Sequence, residues 1–229
     1  MCGRFNVAHT PGLQALLDSL GSGLALPPPV FNVAPTEAVS LLQSLDGVVT
    51  ASSARWWLTP HWSSGPSQKY AMFNARAEGL TRSPAFRRPF ERQRGILPMS
   101  SFLEWRKQGD QKQPWLISNE CEGLAVGALW DCWSESEEAA PLLSCTIVTT
   151  AAAERFRPWH SRMPLMLSCD EQLQWLDNER PVAPDDPLLR PVLKEALHLA
   201  PLNRAVGNAR NKGQELMASV GETVVLPAD

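Results

Sequence analysis

A series of short strand-like segments, several of them bounded by Gly, Pro or Asp, constrains the fold of this 229-residue chain more than any other feature. The segments cover residues 38–45, 47–57, 95–105, 114–118, 123–130 and 142–150. The motif FNVAPT indicates a further strand end that runs into a turn. Because short strands outnumber helices, the sequence predicts an α+β fold with a curved, largely antiparallel, barrel-like β-sheet core and peripheral helices.

Three helical patterns accompany the strands. Thr10 is a candidate N-cap for a first helix, and Gly21 can end that helix in the left-handed conformation. Its apolar positions follow at helical spacing: Leu13, Leu16, Leu17 and Leu20. Ser168 and Glu171 form a capping-box pattern ahead of a second, short helix. The pattern over about 187–197 predicts a third helix.

Composition excludes several classes of protein. Hydrophobic residues make up 44% and charged residues 20%, values that exclude a wholly disordered chain. No apolar run approaches the ~18–20 residues that cross a bilayer, so no membrane partner is expected. The start, MCGRFNVAHT, lacks the pattern of a secretory signal, which favours a cytoplasmic protein. Five cysteines without a CxxC pair argue against a disulfide framework and a zinc site, so neither metal nor cofactor is expected.

Charge is distributed unevenly along the chain. The formal net charge is −3, yet residues 1–112 carry 12 basic and 7 acidic side chains, whereas residues 113–229 carry 9 and 17. Between 76 and 94, six arginines meet only Glu78 and Glu91. Arginine binds phosphate bidentately and stacks on rings, so this segment suits an anionic partner such as nucleic acid. The alternative is that these arginines lie on a solvated face of the protein and that the acidic second half of the chain balances their charge.

Nine tryptophans are present beside a single tyrosine. We expect Trp130 and Trp175 in the core. Trp56, Trp57 and Trp62 cluster in RWWLTPHW near the basic segment, where large rings could serve as stacking platforms for single-stranded nucleic acid. Core packing is nevertheless the preferred interpretation for these three side chains.

Cys2 directly follows the initiator methionine, which aminopeptidases remove ahead of small residues. Removal would leave an α-amine of pKa about 8 and a thiol of pKa about 8.5 on adjacent carbons. The amine can form a Schiff base with an aldehyde, and the thiol can then close a five-membered thiazolidine. The same group could instead act as an N-terminal nucleophile that cleaves amides, or Cys2 could be incidental.

Three further elements carry groups suited to proton transfer or phosphate binding. MFNARAE places Asn74, Arg76 and Glu78 at period two, so all three could share one face of an extended strand. SFLEW sets Glu104 between apolar neighbours that could hold its carboxyl group near neutral pH as a general acid or base. WHSRMP supplies His160, whose imidazole is suited to proton transfer.

Together, MCGR, FNVAP, NARAE, FLEW, HSRMP and AVGNARN resemble the SRAP (SOS-response-associated peptidase) family, in the family's order and from residue 2 to about 213. The resemblance implies one SRAP-like domain over residues 1–229. It also implies Cys2 as the nucleophile, with Asn74, Glu104 and His160 around it. The positions that it assigns to DNA contact are Arg4, Pro35, Trp57, Pro60, Arg76, Arg82, Trp105, Thr149 and Arg162.

The chain departs from the family pattern at two places. Ser100 and Ser101 stand where the family commonly has Asp-Gly, so the local turn is expected to differ. An arginine expected after NARAE aligns near Ser83 or Pro84, which leaves Arg82 as its substitute.

The resemblance implies a monomer that binds single-stranded DNA, forms a covalent thiazolidine cross-link with an abasic site and so shields the lesion during the DNA damage (SOS) response. Methionine aminopeptidase would be its maturation partner, and the bound protein would associate with the nucleoid. Two alternatives stay open: an N-terminal-cysteine peptidase that acts on peptides or on its own chain, and a non-covalent reader of single-stranded DNA or modified bases. Weak lyase activity at abasic sites is a secondary expectation.

Overall fold

The computed structural model of this protein describes residues 2–21 and 23–229. Three α-helices lie in this part of the chain: α1 Pro11–Leu20, α2 Arg87–Arg92 and α3 Cys169–Leu176. The strands are β1 Phe5–Val7, β2 Val30–Val33, β3 Ala38–Leu45, β4 Val48–Trp56, β5 Asn74–Arg76, β6 Arg94–Met99, β7 Ser101–Gln108, β8 Gln111–Asn119, β9 Leu124–Trp133, β10 Leu142–Ala151, β11 Arg162–Pro164, β12 Met166–Leu167, β13 Leu197–Pro201 and β14 Val224–Leu226.

The strands form two sheets. The first has the order β14-β13-β8-β7-β1-β2 and is antiparallel throughout. In the second, β10, β4, β3, β6 and β9 pair in turn, and β9 pairs again with β10, so these five strands close into a ring. Among the strand pairings of the described residues, those of β10 with β4 and with β5 are parallel and the others are antiparallel. The predicted α+β fold with a curved, largely antiparallel sheet is confirmed.

The chain passes from one sheet to the other at Ser100, between β6 and β7. The Ser100 hydroxyl accepts from the Ala8 amide at 3.0 Å, and the Ser100 amide donates to the Asn6 carbonyl at 2.9 Å. The continuous strand predicted over 95–105 is therefore wrong at one residue, because the serine turns the chain there. This turn places β7 beside β1 and so brings Glu104 to the chain start.

Helix α1 follows the leucine pattern, and its four leucines are buried. The Thr10 side chain accepts from the Leu13 amide, as expected of an N-cap. Gly21 was expected in the left-handed conformation, but its φ of 163° and ψ of 146° are extended. The Gly21 amide donates the last hydrogen bond of the helix, to the Leu17 carbonyl, and the chain is already extended at Gly21. The left-handed turn is therefore absent at this residue. The capping box of α3 is present as predicted.

The helix predicted over about 187–197 is wrong. A short 3₁₀ turn, Pro187–Leu189, is followed by irregular chain and then by β13, which pairs with β8 and β14. Pro191 restricts Arg190 to extended conformations and lacks an amide donor, so the helix cannot propagate. Leu197 and Leu199 then alternate with His198, a strand pattern that buries both leucines.

The tryptophans divide between core and surface. Trp56 and Trp175 are fully buried, and Trp130 packs partly buried against the core. Trp57 is half-buried. Trp62 is 59% exposed, so core packing is wrong for this ring. None of the helices in residues 2–21 and 23–229 is long and apolar enough to cross a membrane.

Candidate active site

Cys2 lies three residues before the start of β1 at Phe5 and is completely buried. Met1 lies outside the described residues. Its thiol is 3.8 Å from the Arg4 carbonyl, and its own carbonyl accepts a 2.9 Å hydrogen bond from the Asn74 side-chain amide. Burial raises the pKa of the Cys2 thiol, and the negative charge of Glu104 raises it further. The thiol is therefore held protonated, close to a carboxyl group.

Asn74 reaches Cys2 because β5 lies parallel to β10, with Asn74 opposite Ile147. The strand ends at Arg76, and Ala77–Gly79 form a 3₁₀ turn. Asn74 is buried while Arg76 is exposed. Asn74 and Arg76 are two residues apart in β5, as predicted, but Glu78 lies in the 3₁₀ turn, so the single extended strand predicted for all three residues is wrong at Glu78.

Glu104 lies in β7 opposite Trp115 of β8 and is 2% exposed. Burial raises the pKa of Glu104, and the neighbouring charge of His160 opposes that shift. The carboxyl group is buried, and its neighbours include the imidazole of His160 and the thiol of Cys2. A raised pKa brings a carboxyl group closer to the range in which it can both donate and accept protons.

His160 is half-buried and fixed by the chain that follows it. Its Nδ1 lies 2.9 Å from the Arg162 amide nitrogen and 3.0 Å from the Arg162 carbonyl oxygen, so both groups of Arg162 fix the orientation of the ring. Glu104 and His160 interact electrostatically, as do Glu104 and Cys2. The structure thus brings together all four residues predicted as catalytic.

Arg162 is held by two partners on the β10 side of the site. One guanidinium nitrogen lies 2.7 Å from the Glu78 carboxylate, and the other donates to the carbonyl and hydroxyl of Thr149. The Thr149 side chain is fully buried and donates to the Ala75 carbonyl. Thr149 therefore does not lie on the surface in this structure but positions Arg162. The pairing of Arg162 with Glu78 was not expected from the sequence.

Arg4 is held by a different set of partners. It donates to the Asn32 side-chain oxygen at 3.1 Å and to the Val206 carbonyl at 3.4 Å, and its guanidinium carbon is 5.8 Å from the centre of the Trp105 ring. Asn32 was not singled out from the sequence. The signal available in the sequence was the position of Asn32 inside the motif FNVAP. Asparagine tolerates positive φ values, and Asn32 has a φ of 52° in this structure.

Asn32 joins β2 to the loop that contains AVGNARN. Its side-chain amide donates to the carbonyls of Val206, Asn208 and Asn211 at 3.0–3.1 Å, while Lys212 donates to its backbone carbonyl. The buried Asn32 side chain thus fixes both Arg4 and the C-terminal loop.

The remaining predicted DNA contacts differ in accessibility. Arg76 and Arg82 are exposed, Pro35, Trp57 and Trp105 are half-buried, and Pro60 is buried. Within the basic segment, Arg94 is fully buried and donates to five backbone carbonyls. Arg94 therefore does not contribute to a surface for an anionic partner.

Comparison with protein families gives a match over residues 1–209 to the model described as SOS response associated peptidase (SRAP). This chain belongs to the SRAP family. The SRAP chain is 32% identical to the abasic site processing protein YoaM of Bacillus subtilis, over 95% of this chain and 97% of that one. It is 30% identical to the abasic site processing protein YedK of Escherichia coli, over 96% of this chain and 100% of YedK.

Solved structures show the same fold. A protein from Bacteroides thetaiotaomicron matches this SRAP structure with a TM-score of 0.78 at 20% identity, covering 96% of this chain and 100% of that one. A protein from Bordetella bronchiseptica matches with a TM-score of 0.67 at 19% identity, over 88% and 100% of the two chains. Across the described part of the SRAP chain, no group of three or more His, Cys, Asp or Glu side chains could hold a metal ion.

Proposed function

We propose that this protein captures abasic sites in single-stranded DNA by forming a thiazolidine with Cys2 after removal of Met1. The observation that carries the proposal is the convergence of Cys2, Asn74, Glu104 and His160, described above. The names of the relatives, abasic site processing proteins, support the same substrate. The role that follows is to shield the lesion during the response to DNA damage.

The order of bond formation follows from the electrostatics. Burial raises the pKa of the Cys2 thiol, so a thiolate is disfavoured at the start of the reaction. The α-amine can attack first, because its neutral form is accessible near neutral pH. The amine nitrogen adds to C1′ of the open abasic sugar and gives a carbinolamine, which loses water to form an imine.

Ring closure then uses the thiol. Cys2 Sγ adds to the imine carbon, its proton moves to the nitrogen, and a thiazolidine forms; the whole sequence consumes one aldehyde and one aminothiol and releases one water. Glu104 is suited to move these protons because burial raises its pKa. His160 is suited to protonate the sugar ring oxygen and open the hemiacetal, because its imidazole is oriented by Arg162 and interacts with Glu104 in the same site.

The DNA strand would reach the site past exposed arginine side chains. Arg76 ends β5, two residues after Asn74, and Arg82 follows on the next turn. Both guanidinium groups can contact phosphates, whereas Arg4 and Arg162, held by protein partners, can position the sugar and its flanking phosphates.

The test combines intact mass with a denaturing gel. Purified protein is first weighed to establish that Met1 is absent, and is then incubated with a single-stranded oligonucleotide that carries one abasic site. We expect a slower-migrating adduct that survives detergent and heat. Cys2→Ala abolishes it, whereas Cys121→Ala, a change at an exposed cysteine outside the site, leaves it unchanged.

Borohydride reduction separates the two bonds. The Cys2→Ala chain keeps an N-terminal amine, so reduction should trap its imine as an adduct that is absent without borohydride. An adduct from Cys2→Ala without reduction would contradict the proposal. Non-covalent retardation alone would support the DNA reader, and cleavage of peptides by the wild-type chain but not by Cys2→Ala would support the peptidase.

A further inference from the structure

We propose that the outer edge of β4 is a docking site at which an extended, basic segment of a partner protein adds a strand to the ringed sheet. One side of β4 pairs with β3 along its whole length. On the other side, β10 pairs with β4 at Arg55 and Trp56, so residues 48–54 have no second neighbour among the described strands. An unpaired strand edge is a template for an additional strand.

The β3–β4 turn sets which backbone groups of β4 face β3. Asp46 and Gly47 form this two-residue turn, and both have positive φ, as in a type I′ turn. Such a turn makes its flanking residues, Leu45 and Val48, a hydrogen-bonded pair. Because bonded and non-bonded pairs alternate along antiparallel strands, the even-numbered residues of β4 bond to β3.

The far end of β4 agrees with this assignment, because the Trp56 amide donates to the Glu37 carbonyl at 2.9 Å. The backbone amides and carbonyls that point away from β3 are therefore those of the odd-numbered residues Val49, Ala51 and Ser53. Ala51 and Ser53 are exposed and Val49 is half-buried, so these groups can be reached from solvent.

The open edge lacks the features by which proteins usually prevent strand addition. Its sequence over residues 48–54, VVTASSA, contains no lysine, no proline and no charged residue. The register of β4 with β3 is continuous over residues 38–55, so no bulge interrupts the edge there. Val48, at the start of the edge, is 62% exposed. The edge is therefore both apolar and regular enough to accept another strand.

A cavity beside the open edge can hold side chains of the added strand. It has a volume of about 400 Å³, and its lining includes residues 51–53 of β4, Phe5 and Val7 of β1, and Val30 of β2. Side chains of neighbouring strands lie beside one another on each face of a sheet, so alternate residues of an added strand would enter the cavity. Its largely apolar lining favours residues such as valine at those positions.

Charge at both ends of the edge favours a basic partner. Asp46 is exposed at the turn, and loop 134–140 leads into β10 at the other end. The register of β4 with β10, extended by two residues, sets Leu142 level with Ser53, so this loop lies beside the open edge. Its exposed acidic side chains are Glu135, Glu137 and Glu138. The basic side chain that follows the edge, Arg55, is half-buried.

The same charges disfavour a second copy of this chain at the edge. If two β4 strands paired antiparallel about a twofold axis, Asp46 of each chain would approach loop 134–140 of the other. Acidic groups would then face acidic groups, which opposes association. Lysine or arginine in an extended segment is instead attracted to both ends of the edge, so a basic segment is the occupant that this surface fits.

The open edge runs away from the Cys2 site. Strands β4 and β5 both pair parallel with β10, at its residues 144–145 and 147–149. Asn74 lies opposite Ile147, five residues along β10 from the level of Ser53, which corresponds to roughly 16 Å of strand. From Ser53 the edge continues in the opposite direction. A partner can therefore dock while DNA occupies the Cys2 site.

The first experiment locates the contact by residue-resolved hydrogen exchange, measured by NMR on the full chain. The probe is a short synthetic peptide of alternating valine and lysine with blocked ends. At about ten times its Kd, we expect the peptide to slow exchange of the outward amides of Val49, Ala51 and Ser53 by roughly tenfold. The amides of Thr50 and Ser52, already bonded to β3, should keep their rates. Protection at other strands only would overturn the proposal.

The second experiment measures the affinity of a fluorescent form of the peptide by anisotropy. The triple variant Glu135→Lys, Glu137→Lys, Glu138→Lys should weaken binding by roughly tenfold at low salt, the combined effect of three exposed ion pairs. The matched control makes the same change in net charge at exposed positions elsewhere and should bind as the wild type does: Glu120→Lys, Glu179→Lys, Glu222→Lys. Equal weakening in both variants would overturn the proposal, because net charge alone would then attract the peptide.

Two further measurements test the other occupants. We expect the same peptide affinity when undamaged single-stranded DNA saturates the chain, and competition would place the peptide on the DNA path and overturn the proposal. Sedimentation velocity without peptide should show a monomer. A dimer that Ala51→Pro abolishes would assign the edge to a second copy and overturn the peptide proposal. None of these measurements depends on cross-linking by Cys2, so the docking site and the proposed function fail separately.

Discussion

The side-chain amide of Asn74 donates a 2.9 Å hydrogen bond to the backbone carbonyl of Cys2. Asn74 belongs to the ringed sheet through β10, whereas Cys2 leads into β1 of the other sheet. This hydrogen bond holds the backbone of Cys2, which would carry the proposed aminothiol, against β5, the strand that ends at Arg76. The site is therefore assembled from both sheets, and its geometry depends on how they pack.

Glu104→Gln should slow cross-linking by roughly 10²-fold, the usual contribution of a positioned acid or base. It should also stabilise the protein. Because burial raises the pKa of Glu104, the folded state binds the proton more tightly, and stability is lost as pH rises through the folded pKa. Glutamine does not ionise, so the variant does not lose stability in this way as pH rises.

Thermal unfolding at two pH values checks this sign. At pH 8 we expect the melting temperature of Glu104→Gln to exceed that of the wild type by roughly 2–4 °C, the shift that 1 kcal/mol causes in a chain of this size. At pH 5 the difference should shrink. A variant that melts below the wild type at pH 8 would show that the ionised carboxylate stabilises the fold.

Glu78→Gln should strengthen binding of undamaged single-stranded DNA. The substitution removes the carboxylate that neutralises Arg162 in their 2.7 Å ion pair, so Arg162 can bring one full positive charge to a flanking phosphate. We expect the slope of log affinity against log salt to steepen by about 0.7, the value for one phosphate on a single strand. Glu135→Gln, an exposed site in the 134–140 loop, removes the same charge and should leave the slope unchanged.

The Glu78 pair should contribute little to stability. Glu78 is 56% exposed, and exposed pairs are worth about 1 kcal/mol or less. Burial opposes ionisation of Glu78, but the hydrogen bond and the charge of Arg162 lower its pKa. The contribution of the ion pair to folding stability is therefore present at neutral pH and is lost as pH falls through the pKa of Glu78. A larger loss in denaturant unfolding at pH 7 would show that Glu78 supports the fold itself.

Asn32→Ala should lower the free energy of unfolding by about 2–3 kcal/mol, because it removes a donor from the buried Val206 carbonyl and from the part-buried carbonyls of Asn208 and Asn211. Asn32→Gly loses the same hydrogen bonds but adopts the φ of 52° without strain, so it should be less destabilising than alanine. Denaturant unfolding of both variants measures the difference. Equal losses would mean that backbone strain at this position is negligible.

Arg82 and Arg94 should respond oppositely to substitution by glutamine. Arg82 is exposed, so Arg82→Gln should weaken binding of single-stranded DNA, reduce the salt slope by about 0.7 and leave stability unchanged. Arg94 is buried against carbonyls, and burial lowers its pKa to about 10. Arg94→Gln should therefore cost roughly 3 kcal/mol of stability and leave the salt slope unchanged. A reduced slope in Arg94→Gln would show that its charge reaches the DNA.

Much of the fold could be predicted from local patterns. Strands β3, β4 and β10, the N-cap at Thr10 and the capping box at Ser168 follow from alternation and capping chemistry, which act over a few residues. The failures share a physical cause. At 187–197 a proline and a sheet partner overrode a helical pattern, and at Ser100 one hydroxyl turned a strand from one sheet into the other.

The sequence by itself determined which chemical groups are available: a cysteine behind the initiator methionine, a carboxyl group among apolar neighbours, an imidazole and a surplus of arginine. Only the tertiary structure decided how they act. Burial, which depends on long-range packing, raised the pKa values of Cys2 and Glu104 and removed Arg94 from the surface. Partners distant in sequence fixed Arg4 on Asn32 and Arg162 on Glu78, and the same packing left Trp62 open to solvent.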